Sequence, residues 1–488
     1  MNTVRVRLAP SPTGYLHIGT LRTYLYDYLF AKKHHGTIVI RVEDTDQKRE
    51  VEGAVDALMK TLKWSGLAYD EGLDKGGDFG PYTQSERKDL YNKYVQELIE
   101  KGSAYYAFDT AEELEAMRAK QTAEKRAPMY DRDSMRNQFT LGEEKTKELL
   151  QQNAPHVVRM FVPENKEVTF NDLVRGKVTF NTNTVDDQIL MKSDGFPTYH
   201  LAVIVDDHLM KISHVFRGEE WLSSTPKHIL LYEAFGWEKP EYAHLPLLLN
   251  PDKTKLSKRK GDVSVESYIQ KGYLRDAILN FVVLLGWNPK TEQEILSLPE
   301  MIEKFDLANV HKAGAVVNMD RLNWFNAHYI KQMPQKEYLE YAKPFLGDVA
   351  STHESLIDRA LLIQQERLKC FSELPELTKL FFEYDATYDA NEVIWKKSNK
   401  EEALQALEAG KTFIAGQNNA DLDPKKLEED LKKEAEKLNL KPGNFFWPLR
   451  YALSGKKMSP GVFEMIWAMG VEESVERLTK AKEKLQNA

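Results

Sequence analysis

Residues 4–42 constrain this chain more than any other stretch, because they read as strand, loop, helix and strand in succession. Val4 to Leu8 alternates as a short strand, and Pro10, Pro12 and Gly14 then force a loop. Leu21, Leu25, Tyr28 and Leu29, with Tyr24, recur at helical spacing, and Gly36 is placed to close that helix. Ile38 to Val42 reads as a buried strand. Two strands joined through a helix of this length pair in parallel by a right-handed crossover. Ligands of such sheets sit beyond the carboxyl ends of the strands, where Arg7 and Glu43 both fall. Two opposite charges therefore stand at the mouth of one crevice.

The α/β pattern is interrupted and then resumes. Between Tyr105 and Gln188 a charged helical stretch, Glu112 to Lys125, precedes strand-like runs at Val157 to Val162 and Lys177 to Asn181, an inserted α+β module. Leu201 to Val205 then reads as a strand and Thr225 to Phe235 as a helix, so the first domain is expected to be split into 1–103 and 200–250 around an insertion at 104–199. A segment at 251–330 follows. Beyond Gly286 amphipathic helices such as Arg359 to Leu380 and Leu427 to Leu438 dominate, and two helical subdomains are expected at 331–400 and 401–488. The alternating charges in Lys425 to Lys437 read as a solvated helix face.

Composition bounds the rest. A chain of 488 residues, 42% hydrophobic, can bury several cores. Its one cysteine, Cys370, excludes a disulfide framework and any multi-thiolate zinc site within the chain, and reads as a small, partly buried apolar residue. The opening MNTVRVRLAP has no apolar signal core, and no run approaches the roughly 20 apolar residues that span a bilayer, so a cytoplasmic protein without membrane contact is expected. The net charge of −8 runs against a nucleic-acid partner, since phosphate neutralisation favours basic surfaces. Only a local basic surface would admit RNA.

Two segments carry the chemistry. His17-Ile18-Gly19-Thr20 stands where the first loop enters the helix, and a helix start offers unpaired amides and a positive dipole end to the phosphates of a nucleotide. His17 can donate to a phosphate oxygen, and Gly19 lets a ring or ribose approach the backbone. Lys255-Leu256-Ser257-Lys258-Arg259, followed by Lys260 and Gly261, lies in a turn-rich segment opened by Asn250, Pro251 and Asp252, and its cations suit phosphoryl or nucleotidyl transfer. Two acidic sets invite a metal reading. Asp44 with Asp46 is better read as capping the helix that contains Val51, Ala54, Val55 and Leu58, and Asp206-Asp207-His208 as structural hydrogen bonding.

Together these segments resemble the signature set of the class I glutamyl-tRNA synthetases of bacterial type. The resemblance is carried by Arg7 to Gly14, His17 to Thr20, Arg41-Val42-Glu43-Asp44-Thr45-Asp46, Gln84-Ser85-Glu86-Arg87, Gly195 to Ala202, Arg217-Gly218-Glu219-Glu220-Trp221 and Lys255 to Arg259, in order over roughly the first 290 residues. It implies a Rossmann-type α/β catalytic domain with an α+β acceptor-stem insertion. It implies a stem-contact region carrying the Lys255 to Arg259 loop, and an all-α anticodon-binding region behind it. The implied reaction joins the α-carboxylate of L-glutamate to the α-phosphate of ATP and passes the glutamyl group to the 2′-hydroxyl of the terminal adenosine of tRNA(Glu). The implied catalytic set is His17, Gly19, Lys255 and Lys258. Glu220, Leu248, Ser257 and Arg259 join them on ATP, with backbone near Leu248 at the adenine. Arg7, Tyr199 and Arg217 would surround the glutamate carboxylates, and Glu43 would hold the α-ammonium with Ala9 and Ser11. Magnesium is expected to arrive with ATP.

The resemblance has one departure. Some members carry a cysteine-rich zinc site in the insertion, and Ala104-Tyr105-Tyr106-Ala107-Phe108 has no thiol, so no structural zinc and no other metal site is expected. A glutaminyl-tRNA synthetase would read Glu-Pro-Asn where Ser11-Pro12-Thr13 stands and would end in β-barrels. A glutamyl-queuosine tRNA ligase would lack the helical tail. Two readings stay open at this level: charging of tRNA(Gln) as well as tRNA(Glu), and an inactive RNA-binding homologue, against which His17, Lys255 and Lys258 count. A monomer is expected. An arginine fork pairs bidentately with a γ-carboxylate but meets a donor on the amide of glutamine, so the arginines are expected to set amino-acid choice.

Overall fold

A computed structural model of the chain describes residues 3–49, 51–256, 264–349 and 354–488. They divide into one unit up to Tyr268 together with Ile278–Met319, and a second of Ile269–Ala277 with Asp320–Ala488.

In the first unit the strands Arg5–Leu8 and Thr37–Ile40 pair in parallel across the helix Ile18–Lys33, with Arg5 opposite Thr37 and Leu8 opposite Ile40. The amide of Ser213 donates to the Arg5 carbonyl at 2.9 Å, which draws the strand His214–Gly218 alongside. That strand pairs in parallel with Glu241–Leu245, which meets Glu167–Asp172 and its antiparallel partner Gly176–Asn181. A separate antiparallel sheet of Ala104–Ala107, Val157–Met160 and Ile189–Met191 forms the heart of the inserted region. The hairpin Glu167–Asp172/Gly176–Asn181 thus lies within the insertion's sequence interval while bonding to the sheet outside it.

Leu201 to Val205 is helical, where the sequence reading has a strand. It belongs to the helix Tyr199–Leu209, and its five apolar side chains are all buried. A helix enclosed on every side shows no amphipathic period, so a short β-branched run cannot be told from a strand. The first helix closes by a left-handed residue that is His35 rather than Gly36, with the Gly36 amide donating back to Ala31 at 2.8 Å. Gly36 is required for another reason: a Cβ there would stand 2.4 Å from the Val4 carbonyl oxygen. Asp44 and Asp46 do not cap the helix Ala54–Ser65, whose N-cap is Gly53 with φ 75°. Asp44 accepts from the Ser85 amide at 2.8 Å, and Asp46 pairs with Arg49.

The second unit is helical. The stretch Arg359 to Leu380 is two helices, Glu354–Gln364 and Leu374–Phe382, because Pro375 lacks an amide hydrogen and is accommodated only in a first turn. One apolar core gathers Tyr338, Ile357, Leu361, Phe371 and Leu374, and another Leu407, Leu431, Phe445, Leu449, Ile466 and Leu478. Cys370 is buried. The helix Pro424–Lys437 buries Leu427 and Leu431 and turns outward the pairs Lys432–Glu428, Lys433–Asp430 and Lys437–Glu434. No helix among the described residues is long and apolar enough to cross a membrane.

One carboxylate ties the first unit together. Asp206, with no exposed surface, accepts from Arg87 Nε at 2.7 Å, Gln84 Nε2 at 2.9 Å and the Tyr91 hydroxyl at 2.8 Å. His208 stacks on Trp237 at 3.7 Å, and Asp207 pairs with Arg41 and Arg7. Removing Asp206 leaves the buried Arg87 guanidinium without its counter-charge. Asp206→Ala is therefore expected to lower unfolding free energy by about 3–5 kcal/mol, read from urea melts, while Lys147→Ala on the exposed pair with Glu143 leaves it nearly unchanged.

Candidate active site

The carboxyl ends of the first two strands open onto a cavity of about 1050 Å³, large enough for more than one small molecule. Eleven of the residues singled out from the sequence line it: Arg7, Ala9, Ser11, His17, Gly19, Glu43, Tyr199, Arg217, Glu220, Leu248 and Lys255. Ser257, Lys258 and Arg259 lie outside the described residues. The residues on either side of that segment are anchored at the cavity: the Leu256 amide donates to the Leu248 carbonyl, and the Val265 amide to the Leu16 carbonyl, each at 2.9 Å.

Arg7 and Glu43 are not paired with each other. Arg7 Nε donates to Asp207 at 3.3 Å and Nη1 to the Phe216 carbonyl at 3.3 Å. Its Nη2 has no partner among the described residues. Glu43 pairs with Arg41 at 2.8 Å, and Arg41 Nη1 reaches the same Asp207 at 2.9 Å. Residues two apart on extended backbone share a face, which is why Arg41 can hold Glu43. Burial is the largest influence on Arg7 and opposes its charge, but Asp207, Tyr199 and Asp27 together outweigh it and the guanidinium pKa ends above its ordinary value. Burial pushes the Glu43 carboxyl up, with Arg41 pulling the other way. Below Arg7, Asp27 is fully buried with both oxygens unpartnered, and burial raises its pKa well above the carboxylate range.

Arg217 is held differently. Nε donates to His244 Nε2 at 2.9 Å, Nη1 to His228 Nδ1 at 3.1 Å and to the Tyr199 hydroxyl at 3.4 Å, and Nη2 to Thr225 Oγ1 at 2.8 Å. None of these partners is a carboxylate. Tyr199 begins its helix and packs on Trp221 at 4.4 Å. Beside it, Gly218 lets Glu220 fold back toward the cavity, since a Cβ there would stand 2.0 Å from the Glu220 carboxylate oxygen.

At the other end, His17 is the N-cap of the first helix, and its Nδ1 accepts from the Gly19 amide at 2.9 Å. That leaves Nε2 as the proton-bearing nitrogen. The amides of Thr20 and Leu21 donate to the His17 carbonyl, so the helix start offers fewer open amides than expected from the sequence. Gly19 sits between the His17 ring and Leu248, at 3.1 and 3.6 Å from its Cβ position. Lys255 Nζ lies 3.9 Å from Glu220, both half-exposed at the rim. The cavity thus has the buried Arg7 and Arg217 at one end and a histidine and a lysine on the border of the other. Sequence reasoning missed Arg41 and Asp207 as supports of Arg7 and Glu43, and missed His228 and His244 altogether. The two-residue spacing of Arg41 and Glu43 was a usable signal; the histidines, far apart in sequence, gave none.

Residues 3–324 match the family described as tRNA synthetases class I (E and Q), catalytic domain, and residues 337–482 match the anticodon binding domain family. The chain is 46% identical over 498 aligned positions to a glutamate–tRNA ligase of Chloroherpeton thalassium, covering 99% of this chain and 98% of that one. It is 45% identical to the glutamate–tRNA ligase of Pelodictyon phaeoclathratiforme, covering 99% and 98%. Among solved structures it is similar to a glutamate tRNA ligase of Elizabethkingia meningosepticum in complex with its amino acid, at 39% identity and a TM-score of 0.88, covering 99% and 100% of the two chains. A glutamate-tRNA synthetase of Elizabethkingia anophelis matches at 39% and 0.89 over the same shares.

The histidines around Arg217 have a consequence for acid stability. Burial drives His228 well below the ordinary histidine value, and burial with the nearby Lys227 and Arg217 lowers His200 to about 3. Both are then neutral when folded and protonated first when unfolded. Stability from this source is complete above the unfolded pKa near 6.5 and falls as pH drops below it. Between pH 7.5 and 5.5, unfolding free energy is expected to fall by about 1.4 kcal/mol for each of the two. Urea melts at the two pH values check it, and a flat profile contradicts buried, uncharged rings.

Proposed function

The chain belongs to the class I tRNA synthetases of the glutamate and glutamine branch, as a glutamate–tRNA ligase, and on that premise we propose how its cavity performs the reaction. The observation that carries the reading is the convergence of two arginines, a largely buried glutamate and a helix-capping histidine on one cavity. Glutamate lies at the cationic end, its carboxylates toward Arg7, Tyr199 and Arg217 and its ammonium toward Glu43, with Ala9 and Ser11 beside it. ATP lies along His17, Gly19, Glu220 and the backbone at Leu248, and Lys255, Ser257, Lys258 and Arg259 approach its phosphates.

In the first step an α-carboxylate oxygen of glutamate attacks the α-phosphorus of ATP, the bond to the bridging oxygen breaks, and pyrophosphate leaves. In the second, the 2′-hydroxyl of the terminal adenosine of tRNA(Glu) attacks the activated carbonyl, and AMP leaves with the bonding pair. No protein nucleophile takes part. Catalysis is orientation together with charge stabilisation: His17 Nε2–H and the lysines meet charge that grows on phosphate oxygens in the transition state. Glu43, fixed by Arg41 at 2.8 Å, orients the ammonium and with it the attacking carboxylate.

Magnesium supplies charge neutralisation on the phosphates and enters as the ATP complex. Among the described residues no group of three or more His, Cys, Asp and Glu side chains is arranged to hold a metal ion. The module at 104–199 needs no structural zinc in this reading, because Tyr105 and Arg132 are tied to Asp187 at 2.6 and 2.7 Å over an aromatic core. This module meets the acceptor stem, 251–330 the stem below it, and the helical subdomains at 331–400 and 401–488 the anticodon. In this reading the enzyme acts as a monomer in the cytoplasm.

The test is ATP–pyrophosphate exchange with glutamate and tRNA, followed by charging of purified tRNA(Glu) and tRNA(Gln). Exchange that depends on glutamate supports the reading, and no exchange overturns it. Arg7→Ala is expected to raise the KM for glutamate on the order of a hundredfold while the KM for ATP moves about threefold or less, since only the amino acid loses its ion pair. Equal effects on both substrates contradict the role given to Arg7.

A further inference from the structure

The two arginines at the glutamate end differ in a way that points to a specificity device. Arg7 shares the carboxylate of Asp207, whereas every hydrogen bond of Arg217 goes to an uncharged acceptor. The geometry fixes the protons. A guanidinium only donates, so His244 Nε2 and His228 Nδ1 are bare nitrogens. His244 Nδ1 stands 2.6 Å from Asp172 Oδ2 and carries its proton there. Asp172 is held in turn by the amides of Val174 and Arg175 at 3.0 and 2.7 Å. His228 Nε2 stands 3.1 Å from His200 Nδ1 and donates to it. Each ring is thus a fixed tautomer with its acceptor side turned to Arg217.

We propose that His228 and His244 are positioning residues that set the choice of glutamate over glutamine, by holding Arg217 rigidly through neutral acceptors that keep every carboxylate out of direct contact with it. The inference rests on the placement of glutamate proposed above. A carboxylate in the place of either histidine would hold the guanidinium equally well but would satisfy its charge inside the protein. With neutral acceptors the charge is satisfied only by the ligand, and an amide of the same shape cannot supply it. Thr225 serves the same end on Nη2 with a neutral hydroxyl.

The experiment compares isosteric substitutions in the full-length enzyme. His228→Asn keeps a neutral acceptor near the Nδ1 position, and His228→Asp puts a charged one there. The readouts are kcat/KM for glutamate and for glutamine and the KM for ATP, in tRNA-dependent exchange. His228→Asn is expected to keep glutamate kcat/KM within about fivefold of wild type. His228→Asp is expected to lower the glutamate to glutamine ratio by about thirtyfold or more with the KM for ATP unchanged. The pair Thr225→Asn and Thr225→Asp makes the same comparison at a different atom of Arg217 and stands in should a His228 variant not fold. Asn and Asp variants that behave alike, or an Asp variant that loses ATP and glutamate affinity together, overturn the inference. If the wild-type enzyme itself does not activate glutamate, the placement of glutamate fails instead.

Discussion

Asp207 is the carboxylate on which the charges at the two strand ends of the cavity depend. It is 2% exposed, and it meets Arg41 at 2.9 Å and Arg7 at 3.3 Å, one from each of the first two strand ends. Two guanidinium groups cannot be buried side by side without such a charge between them. Arg41 in turn carries Glu43, so the opposite charges of Glu43 and Arg7 at the two strand ends are fixed by one residue of a third element, the helix Tyr199–Leu209. Its neighbour Asp206 binds the same helix to Gln84, Arg87 and Tyr91. The segments that the sequence presents as separate motifs are thereby one interlocked array of charges.

That array is also where the limits of the sequence lie. The strand, helix, strand unit was legible because the first helix alternates at helical spacing between a loop-forming Pro10-Pro12-Gly14 and a β-branched strand. The convergence of Arg7, Glu43, His17, Arg217 and Lys255 was legible through the parallel-sheet rule and the family resemblance together. The helix at Tyr199–Leu209 was not, since its Leu201 to Val205 face is buried on all sides and carries no period. The ion-pair partners were not legible for a related reason. Arg7 and Glu43 are adjacent at strand ends, but which carboxylate meets which guanidinium depends on Asp207, supplied from a helix about 200 residues further along. The Lys258 loop lies outside the described residues, and its role rests on resemblance alone.

The two ends of the cavity work by different physics. The end at His17 and Lys255 is partly exposed and carries donors and a cation at its border, which in the proposed reading suits charge that moves between phosphate oxygens during reaction. At the other end Arg7 meets a carboxylate directly, whereas Arg217 is hydrogen-bonded to neutral side chains alone. On the placement of glutamate proposed above, a ligand at that end is selected by the negative charge it brings to Arg217.

The most direct test is a crystal structure with a hydrolysis-resistant analogue of glutamyl-adenylate. The account predicts the side-chain carboxylate within hydrogen-bond distance of Arg217 and Arg7, the ammonium against Glu43, and the phosphate mimic facing His17 Nε2. A complex in which the side-chain carboxylate points away from both arginines, or in which the adenylate occupies the Arg217 end, would contradict it.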